Sequence, residues 1–161
     1  MVFDVDGVLT DGGISITDAG DEIKTFNSRD GHGMKLLMRA GIEVAILTGR
    51  TSRVVEHRAR ELGITHVVQG ARDKRVALLD LAERIGIDPA AMAYMGDDVV
   101  DLPPMVLCGL TFAPADAVDM VRDRADVVTT LPGGRGAARE AIEVLLKRLG
   151  LFEKVMERYG V

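Results

Sequence analysis

The chain has 161 residues, with 47% hydrophobic residues, 28% charged residues and a formal net charge of −5. This length and composition are typical of one soluble globular domain with a sizeable core, so we expect a single domain over residues 1–161. The acidic balance and the lack of a basic tract argue against nucleic-acid binding, and the apolar runs are far too short to span a membrane.

Short apolar segments alternate with amphipathic helical segments along the chain. This alternation predicts an α/β fold, a Rossmann-like parallel sheet with helices on both faces. Helices are expected over residues 52–63 and 73–86, because apolar residues recur there at helical spacing and each segment ends at a glycine. Residues 134–160 are expected to form one helix, or two with a break near Gly150. The expected strands span residues 2–5, 43–47, 66–69, 93–95, 110–112 and 126–129.

Residues 14–27 interrupt this alternation directly after the first strand. Ile14 and Ile16 follow a period of two, the turn-forming sequence DAGD comes next, and Ile23 and Phe26 continue beyond it. This pattern predicts a β-hairpin inserted between the first strand and its helix. The insertion is far too short to be a cap domain.

Two carboxylates end the first strand, within the sequence VFDVDGVLTDGG at residues 2–13. Asp4 and Asp6 point to the same face, because side chains alternate along a strand. Two like charges about 4 Å apart repel by roughly 4 kcal/mol at an intermediate dielectric. We therefore expect a cation between them, or a reaction that uses the repulsion.

Further polar residues follow the later strands: LTGR after the second, a lysine at the start of the helix after the third, and MGDDVVD after the fourth. Ligands of open parallel sheets bind at the carboxyl ends of the strands, so these residues are expected to converge. An oxygen-rich cluster without Cys or His suits Mg²⁺. The predicted site comprises Asp4, Asp6, Thr48, Lys74, Asp97 and Asp98.

This set of residues is suited to phosphoryl transfer. With a cation bound, Asp4 can attack phosphorus to give an aspartyl-phosphate. Asp6 can protonate the leaving alcohol and then deprotonate the hydrolytic water. Thr48 and Lys74 can hold the phosphate oxygens and stabilise the transferring group. Taken singly, Asp97 or Asp101 could be a helix cap or a turn residue, but the joint occurrence of the motifs favours the functional interpretation.

DVDGVLTDG, LTGR, Lys74 and GDDVVDLP resemble, in order, the four motifs of the haloacid dehalogenase superfamily of phosphatases. With FNSRDGHGMKLL and QGARDKRVALL, the resemblance extends over nearly the whole chain to the capless phosphatases of 3-deoxy-D-manno-octulosonate (Kdo) 8-phosphate, which act in lipopolysaccharide precursor synthesis. It implies hydrolysis of Kdo 8-phosphate to Kdo and phosphate. It also implies Asp4 as nucleophile, and a Mg²⁺ site of Asp4, Asp6 through its backbone carbonyl, Asp97 and a supporting Asp98.

The resemblance also implies a set of substrate-binding residues. Arginines in this set suit an acidic sugar phosphate, which carries a carboxylate as well as a phosphate. For Lys35 and Arg58 the alternative is a solvated helix face. The implied contacts are Asp6, Asn27, Ser28, Arg29, Asp30, Gly31, Lys35, Thr48, Gly49, Arg50, Arg58 and Lys74.

Without a cap domain, the site needs closure from elsewhere. The resemblance implies a homotetramer whose hairpins pack together and whose sites are completed by a neighbouring subunit, with Arg58 a candidate to act across the interface. The C-terminal segment 151–161 fits a docking tail or a plain surface helix. The single cysteine, Cys108, and the lack of a visible secretory leader favour a cytoplasmic protein with no membrane partner.

Four alternatives have to be weighed at this point. The substrate could be a nonulosonate 9-phosphate, or the chain could be the phosphatase domain associated with a sialic-acid cytidylyltransferase. A receiver-like phosphorylation switch also uses an acidic pocket, Mg²⁺, a threonine and a lysine, but its phosphorylated aspartate ends a middle strand, where this chain has LTGR. A regulatory domain with an inactive site is disfavoured by the intact Asp4, Asp6, Lys74 and Asp97.

Overall fold

A computed structural model describes residues 1–160, and Val161, the last residue of the predicted domain, lies outside the described residues. Two short strands, β2 (Ser15–Ile16) and β3 (Glu22–Ile23), form an antiparallel hairpin. The main sheet is parallel and contains β1 (Val2–Phe3), β4 (Ala45–Leu47), β5 (His66–Val68), β6 (Ala93–Met95), β7 (Leu110–Ala113) and β8 (Val127–Val128). The predicted α/β fold with a parallel sheet is confirmed.

The order of strands in the sheet is β5-β4-β1-β6-β7-β8. After β1, the strands β4 and β5 are added on one side of it. The chain then crosses over, and β6, β7 and β8 are added on the other side. In the register of the sheet, Phe3 of β1 lies between Ile46 of β4 and Met95 of β6. The reversal beside β1 creates a crevice at the carboxyl ends of the strands, where doubly wound folds bind ligands. Receiver domains have a different strand order, so the topology argues against the receiver-like alternative.

Helices cover both faces of the sheet, and their apolar sides form two core clusters. Among residues 1–160, no helix is long and apolar enough to cross a membrane. One layer consists of α1 (Ser28–Arg39), α2 (Arg53–Leu62), α6 (Ala137–Arg148) and α7 (Phe152–Met156). The other consists of α3 (Lys74–Ile85), α4 (Leu102–Met105) and α5 (Asp119–Arg122).

Most strands are shorter than predicted, and β1 shows why. It was expected to reach residue 5, but it ends at Phe3. The chain then folds into a tight turn in which the backbone N–H groups of Leu9 and Thr10 both donate to the carbonyl of Val5.

The helix predictions are confirmed closely, because local capping sets those bounds: Ser52 and Asp73 cap the starts of α2 and α3. The predicted break at Gly150 separates α6 from α7.

The predicted hairpin is present, and its isoleucines face outward. Ser15 pairs with Ile23, and Ile16 pairs with Glu22. Ile14, Ile16 and Ile23 are 60%, 63% and 55% exposed in the single chain. The hairpin therefore presents an apolar surface that its own subunit does not cover.

Asp30 connects α1 to α6, the two helices that pack most extensively against each other. Its carboxylate is buried and accepts a hydrogen bond from the backbone N–H of Arg139 at 2.8 Å. Gly136, which precedes α6, has no side chain with which to cap that helix. Asp30 thus supplies the cap from a neighbouring helix, and burial raises the pKa of its carboxyl group.

Replacing Asp30 with alanine removes this cap and leaves the first turn of α6 without its acceptor. We expect Asp30→Ala to lower the free energy of unfolding by about 0.5–2 kcal/mol, measured by urea denaturation. Asp18→Ala, in the exposed turn of the hairpin, is the control and should leave the midpoint unchanged. Equal midpoints for the two variants would contradict the capping role.

Candidate active site

The carboxyl ends of the central strands open into a pocket with a volume of about 310 Å³. Pockets of this size accept small metabolites. The structure brings eight of the predicted site residues together in its lining, despite their wide separation in sequence. They are Asp4, Asp6, Thr48, Gly49, Arg50, Lys74, Asp97 and Asp98.

Each of the central residues is placed by the end of a strand or the start of a helix. Asp4 follows β1, and its backbone N–H continues the sheet by donating to the carbonyl of Met95 in β6 at 3.0 Å. This bond sets Asp4 beside the loop that carries Asp97. Lys74 is the first residue of α3, where Asp73 caps the helix, and its side chain is buried.

Lys74 lies between two carboxylates. Its Nζ is 3.0 Å from Asp4 Oδ2 and 2.7 Å from Asp101 Oδ1. Burial alone would lower the pKa of Lys74, but the two carboxylates outweigh it and raise that pKa. Lys74 is therefore a fixed positive charge on the floor of the pocket.

Asp101 is the residue that the sequence interpretation undervalued, since it was considered only as a cap or turn residue. It is completely buried. Its Oδ1 also accepts from the hydroxyl of Tyr94 at 2.7 Å, and its Oδ2 accepts from the backbone N–H groups of Asp97 and Asp98 at 3.1 and 3.3 Å. Asp101 thus ties Lys74 to the loop after β6. Its spacing, four residues after Asp97 within GDDVVD, was the available signal.

The negative charge at the centre of the site is not balanced by protein groups. One oxygen from each of Asp4, Asp97 and Asp101 lies within 4.8 Å of the others, against the single ammonium of Lys74. Burial, and then the neighbouring carboxylates, raise the pKa of Asp4 to about 6 and that of Asp97 to about 8. A divalent cation would supply the two missing positive charges.

The donor set fits a hard cation such as Mg²⁺. Within the described part of the chain, Asp97 Oδ1 is buried and has no hydrogen-bond partner, so it is available as a ligand. Asp4 offers a second carboxylate, whereas both oxygens of Asp101 are already engaged. The loop allows Asp97 to approach because residue 7 is glycine: a Cβ there would lie 1.9 Å from Asp97 Oδ2. Oxygen ligands without His or Cys favour Mg²⁺ over transition metals.

Asp98 was predicted to support the metal site, but the structure gives its carboxylate another partner. Asp98 is exposed at the rim, and its Oδ1 accepts from the backbone N–H of Val99 at 2.7 Å as the cap of a 3-10 turn, Val99–Asp101. This local cap engages Oδ1, and the supporting role of Asp98 at the metal site stays a prediction.

Asp6 is held in a group of charged residues, of which the sequence interpretation assigned Arg50 but not Lys24 or Glu22. Lys24, next to β3 in the hairpin, donates to Asp6 Oδ1. Arg50 Nε lies 3.7 Å from Asp6 Oδ2, and Glu22 Oε1 lies 2.9 Å from an Arg50 nitrogen. No sequence signal singled out Lys24, because one lysine in a short hairpin is ordinarily solvated.

The remaining predicted contacts do not line this pocket within residues 1–160. Asn27 is the N-cap of α1, accepting from the backbone N–H of Arg29 at 2.8 Å. Arg58 pairs with Glu61 at 2.8 Å and stacks over the ring of Phe26. Asp30 caps α6, and its role as a substrate contact stays a prediction. A separate narrow crevice is lined in part by Asn27, Asp30, Gly31 and Arg58, whereas Ser28, Arg29 and Lys35 lie elsewhere on α1.

Comparison with known proteins identifies one family. Residues 32–109 match the family model described as haloacid dehalogenase-like hydrolase. The 3-deoxy-D-manno-octulosonate 8-phosphate phosphatase KdsC of Escherichia coli K12 is 47% identical over 154 residues, which span 96% of this chain and 82% of the relative.

Solved structures agree with this result. The crystal structure of 3-deoxy-D-manno-octulosonate 8-phosphate phosphatase from Moraxella catarrhalis, in complex with magnesium, phosphate and KDO, has a TM-score of 0.95 and 40% identity, covering 98% of this chain and 91% of that one. The cobalt-bound deoxy-D-mannose-octulosonate 8-phosphate phosphatase (YrbI) of Haemophilus influenzae has a TM-score of 0.90 and 43% identity, covering 94% and 88%.

The raised pKa values make stability depend on pH and Mg²⁺ together. Between the ordinary pKa of 3.8 and the folded pKa of about 8, the metal-free folded protein keeps a proton on Asp97 that the unfolded chain has lost. Its stability therefore falls as pH rises through this range. We expect Mg²⁺ to raise the melting temperature by several degrees more at pH 8.5 than at pH 6, compared with EDTA. Asp97→Asn should remove most of this difference, and an equal Mg²⁺ effect at both pH values would contradict it.

Proposed function

The chain belongs to the family of Kdo 8-phosphate phosphatases within the haloacid dehalogenase-like hydrolases, and on this premise we propose that it hydrolyses Kdo 8-phosphate to Kdo and inorganic phosphate with Mg²⁺ as cofactor. The observation that carries the proposal is the convergence of Asp4, Lys74 and Asp97 at one end of the sheet. An acidic sugar phosphate is the substrate class that this family acts on.

The proposed mechanism begins with Asp4. Its carboxylate attacks phosphorus and forms an aspartyl-phosphate. Lys74 stays beside Asp4 and offers positive charge to the phosphoryl oxygens. Asp4, Asp97 and the backbone carbonyl of Asp6 would hold Mg²⁺, which when bound offsets the negative charge of the carboxylates and of the phosphate.

Asp6 and the residues after β4 complete the proposed chemistry. Asp6 donates a proton to the leaving alcohol and then accepts one from the water that hydrolyses the aspartyl-phosphate. Thr48 is buried beside the pocket, and its hydroxyl is suited to donate to a phosphate oxygen. Gly49 and Arg50 line the rim, where the guanidinium of Arg50 can meet the acidic part of the substrate.

We further propose a homotetramer in which hairpins pack together and a neighbouring subunit completes each site. The exposed isoleucines of the hairpin support this assembly. Predicted contacts in or beside α1 and α2 that lie outside the pocket would then bind the sugar, some of them across the interface. These residues are Asn27, Ser28, Arg29, Asp30, Gly31, Lys35 and Arg58. A role in lipopolysaccharide precursor synthesis and a cytoplasmic location belong to the same proposal.

The alternative substrates are less well supported. The relative and the two solved structures described above are named for the eight-carbon sugar phosphate, and not for a nonulosonate 9-phosphate or a cytidylyltransferase. The pocket also holds the complete set of Asp4, Asp6, Lys74 and Asp97, which an inactive regulatory domain would not need.

The direct test is phosphate release from Kdo 8-phosphate, a nonulosonate 9-phosphate and simple sugar phosphates, each with Mg²⁺ and with EDTA. We expect the highest kcat/KM for Kdo 8-phosphate and loss of activity in EDTA. Asp4→Asn should lower kcat by ~10³-fold or more, because the nucleophile is lost. A higher kcat/KM for the nonulosonate 9-phosphate would change the proposed substrate. If no compound releases phosphate in a metal-dependent reaction, the proposed phosphatase activity is refuted.

The tetramer has its own test. Ile16→Asp places a charge on the apolar face of the hairpin, so we expect it to shift the molar mass measured by light scattering from four subunits toward one. Asp18→Asn, in the turn of the same hairpin, is the matched control and should keep the wild-type mass. A monomeric wild-type protein, or an unchanged mass for Ile16→Asp, would rule out hairpin packing as the basis of assembly.

A further inference from the structure

Lys24 is a buried charge that the proposed mechanism does not use. Its side chain is only 2% exposed, although it lies in a short and otherwise exposed hairpin. The ammonium donates to Asp6 Oδ1 and lies 3.3 Å from Glu22 Oε1. Burial of a lysine is costly unless carboxylates compensate its charge, so these two contacts keep it in place.

We propose that Lys24 is the positioning residue for Asp6, and that the hairpin is therefore part of the active site of its own subunit. This inference rests on the proposed phosphatase function, in which Asp6 transfers protons. Among the described residues, the lining of the pocket includes Asp6 but not Lys24. Lys24 thus acts on the reaction through Asp6 and not through the substrate.

The contact assigns different tasks to the two oxygens of Asp6. A lysine ammonium only donates hydrogen bonds, so the oxygen that it contacts, Oδ1, is occupied as an acceptor. The transferable proton then belongs on Oδ2. Arg50 Nε lies 3.7 Å from Oδ2, which is beyond hydrogen-bond distance, so this arginine does not occupy Oδ2 as an acceptor.

The proton transfers balance in both half-reactions. In the first, an oxygen of Asp4 bonds to phosphorus, the bond between phosphorus and the sugar oxygen breaks, and the proton on Asp6 Oδ2 moves to that sugar oxygen. In the second, water attacks phosphorus, its proton moves to Asp6 Oδ2, and the bond between Asp4 and phosphorus breaks. Both steps need the same oxygen of Asp6 in the same place, and a fixed ammonium at Oδ1 meets this need.

Glu22 and Arg50 strengthen the arrangement. Glu22 Oε1 contacts both Lys24, at 3.3 Å, and Arg50, at 2.9 Å. Glu22 therefore offsets positive charge on both cations, and its contact with Lys24 helps to keep that ammonium beside Asp6 when the phosphate of the substrate enters the pocket.

The test compares Lys24→Met with wild type on Kdo 8-phosphate and on p-nitrophenyl phosphate. We expect kcat for Kdo 8-phosphate to fall by about 10- to 100-fold, with KM changed less than about twofold, because proton transfer is impaired and binding is not. p-Nitrophenolate leaves without a proton, so the aspartyl-phosphate still forms quickly but hydrolyses slowly. Lys24→Met should therefore release a burst of about one p-nitrophenolate per subunit. Asp18→Asn, in the same hairpin, should show neither effect.

A double-mutant cycle separates positioning from other roles. If Lys24 acts through Asp6, adding Lys24→Met to Asp6→Asn should change kcat by less than about twofold. Lys24→Gln, which keeps an N–H donor, should retain more activity than Lys24→Met and provides the same readouts if the methionine variant does not fold. A raised KM with unchanged kcat, the lack of a burst, or independent effects in the cycle would overturn the proposal. An inactive wild-type protein would instead refute the phosphatase function itself.

Discussion

The structure depends on holding several carboxylates around one lysine. Asp4, Asp97 and Asp101 converge within a few ångströms of each other, and among residues 1–160 Lys74 is the cation that contacts them. Burial, and then their mutual repulsion, raises the pKa values of Asp4 and Asp97 and makes the metal-free site electrostatically unfavourable. That same excess of negative charge is what allows the protein to bind Mg²⁺ and then a phosphate beside it.

One of the three carboxylates, that of Asp101, has a structural role in this arrangement. Asp101 accepts hydrogen bonds from Lys74, Tyr94 and two backbone N–H groups, so its charge fixes the loop and the lysine. Asp4 and Asp97 then keep oxygens for the metal. The division follows from burial, because Asp101 lies deepest and has the most donors around it, while Asp97 lies at the open side.

The hairpin shows how a short insertion can serve two purposes. Its outward face carries exposed isoleucines, which suit packing against other subunits. Its inner side carries Lys24 and Glu22, which hold Asp6 and Arg50. Assembly and chemistry would then be connected through one element, since subunits that order the hairpin also order the proton-transferring carboxylate. In a capless enzyme this connection would take over part of the role of a cap domain.

The sequence by itself determined the sheet, the helix caps and the convergence of Asp4, Asp6, Thr48, Lys74 and Asp97, because strand alternation, capping residues and motif order are local or topological features. Tertiary structure alone decided which polar side chains form hydrogen bonds and ion pairs with each other. Asp30 caps a helix more than a hundred residues away, Asp101 binds Lys74, and Lys24 binds Asp6. The spacing within GDDVVD places Asp101 near Asp97, but the partners of these side chains depend on which groups compete for the same oxygens in the folded chain.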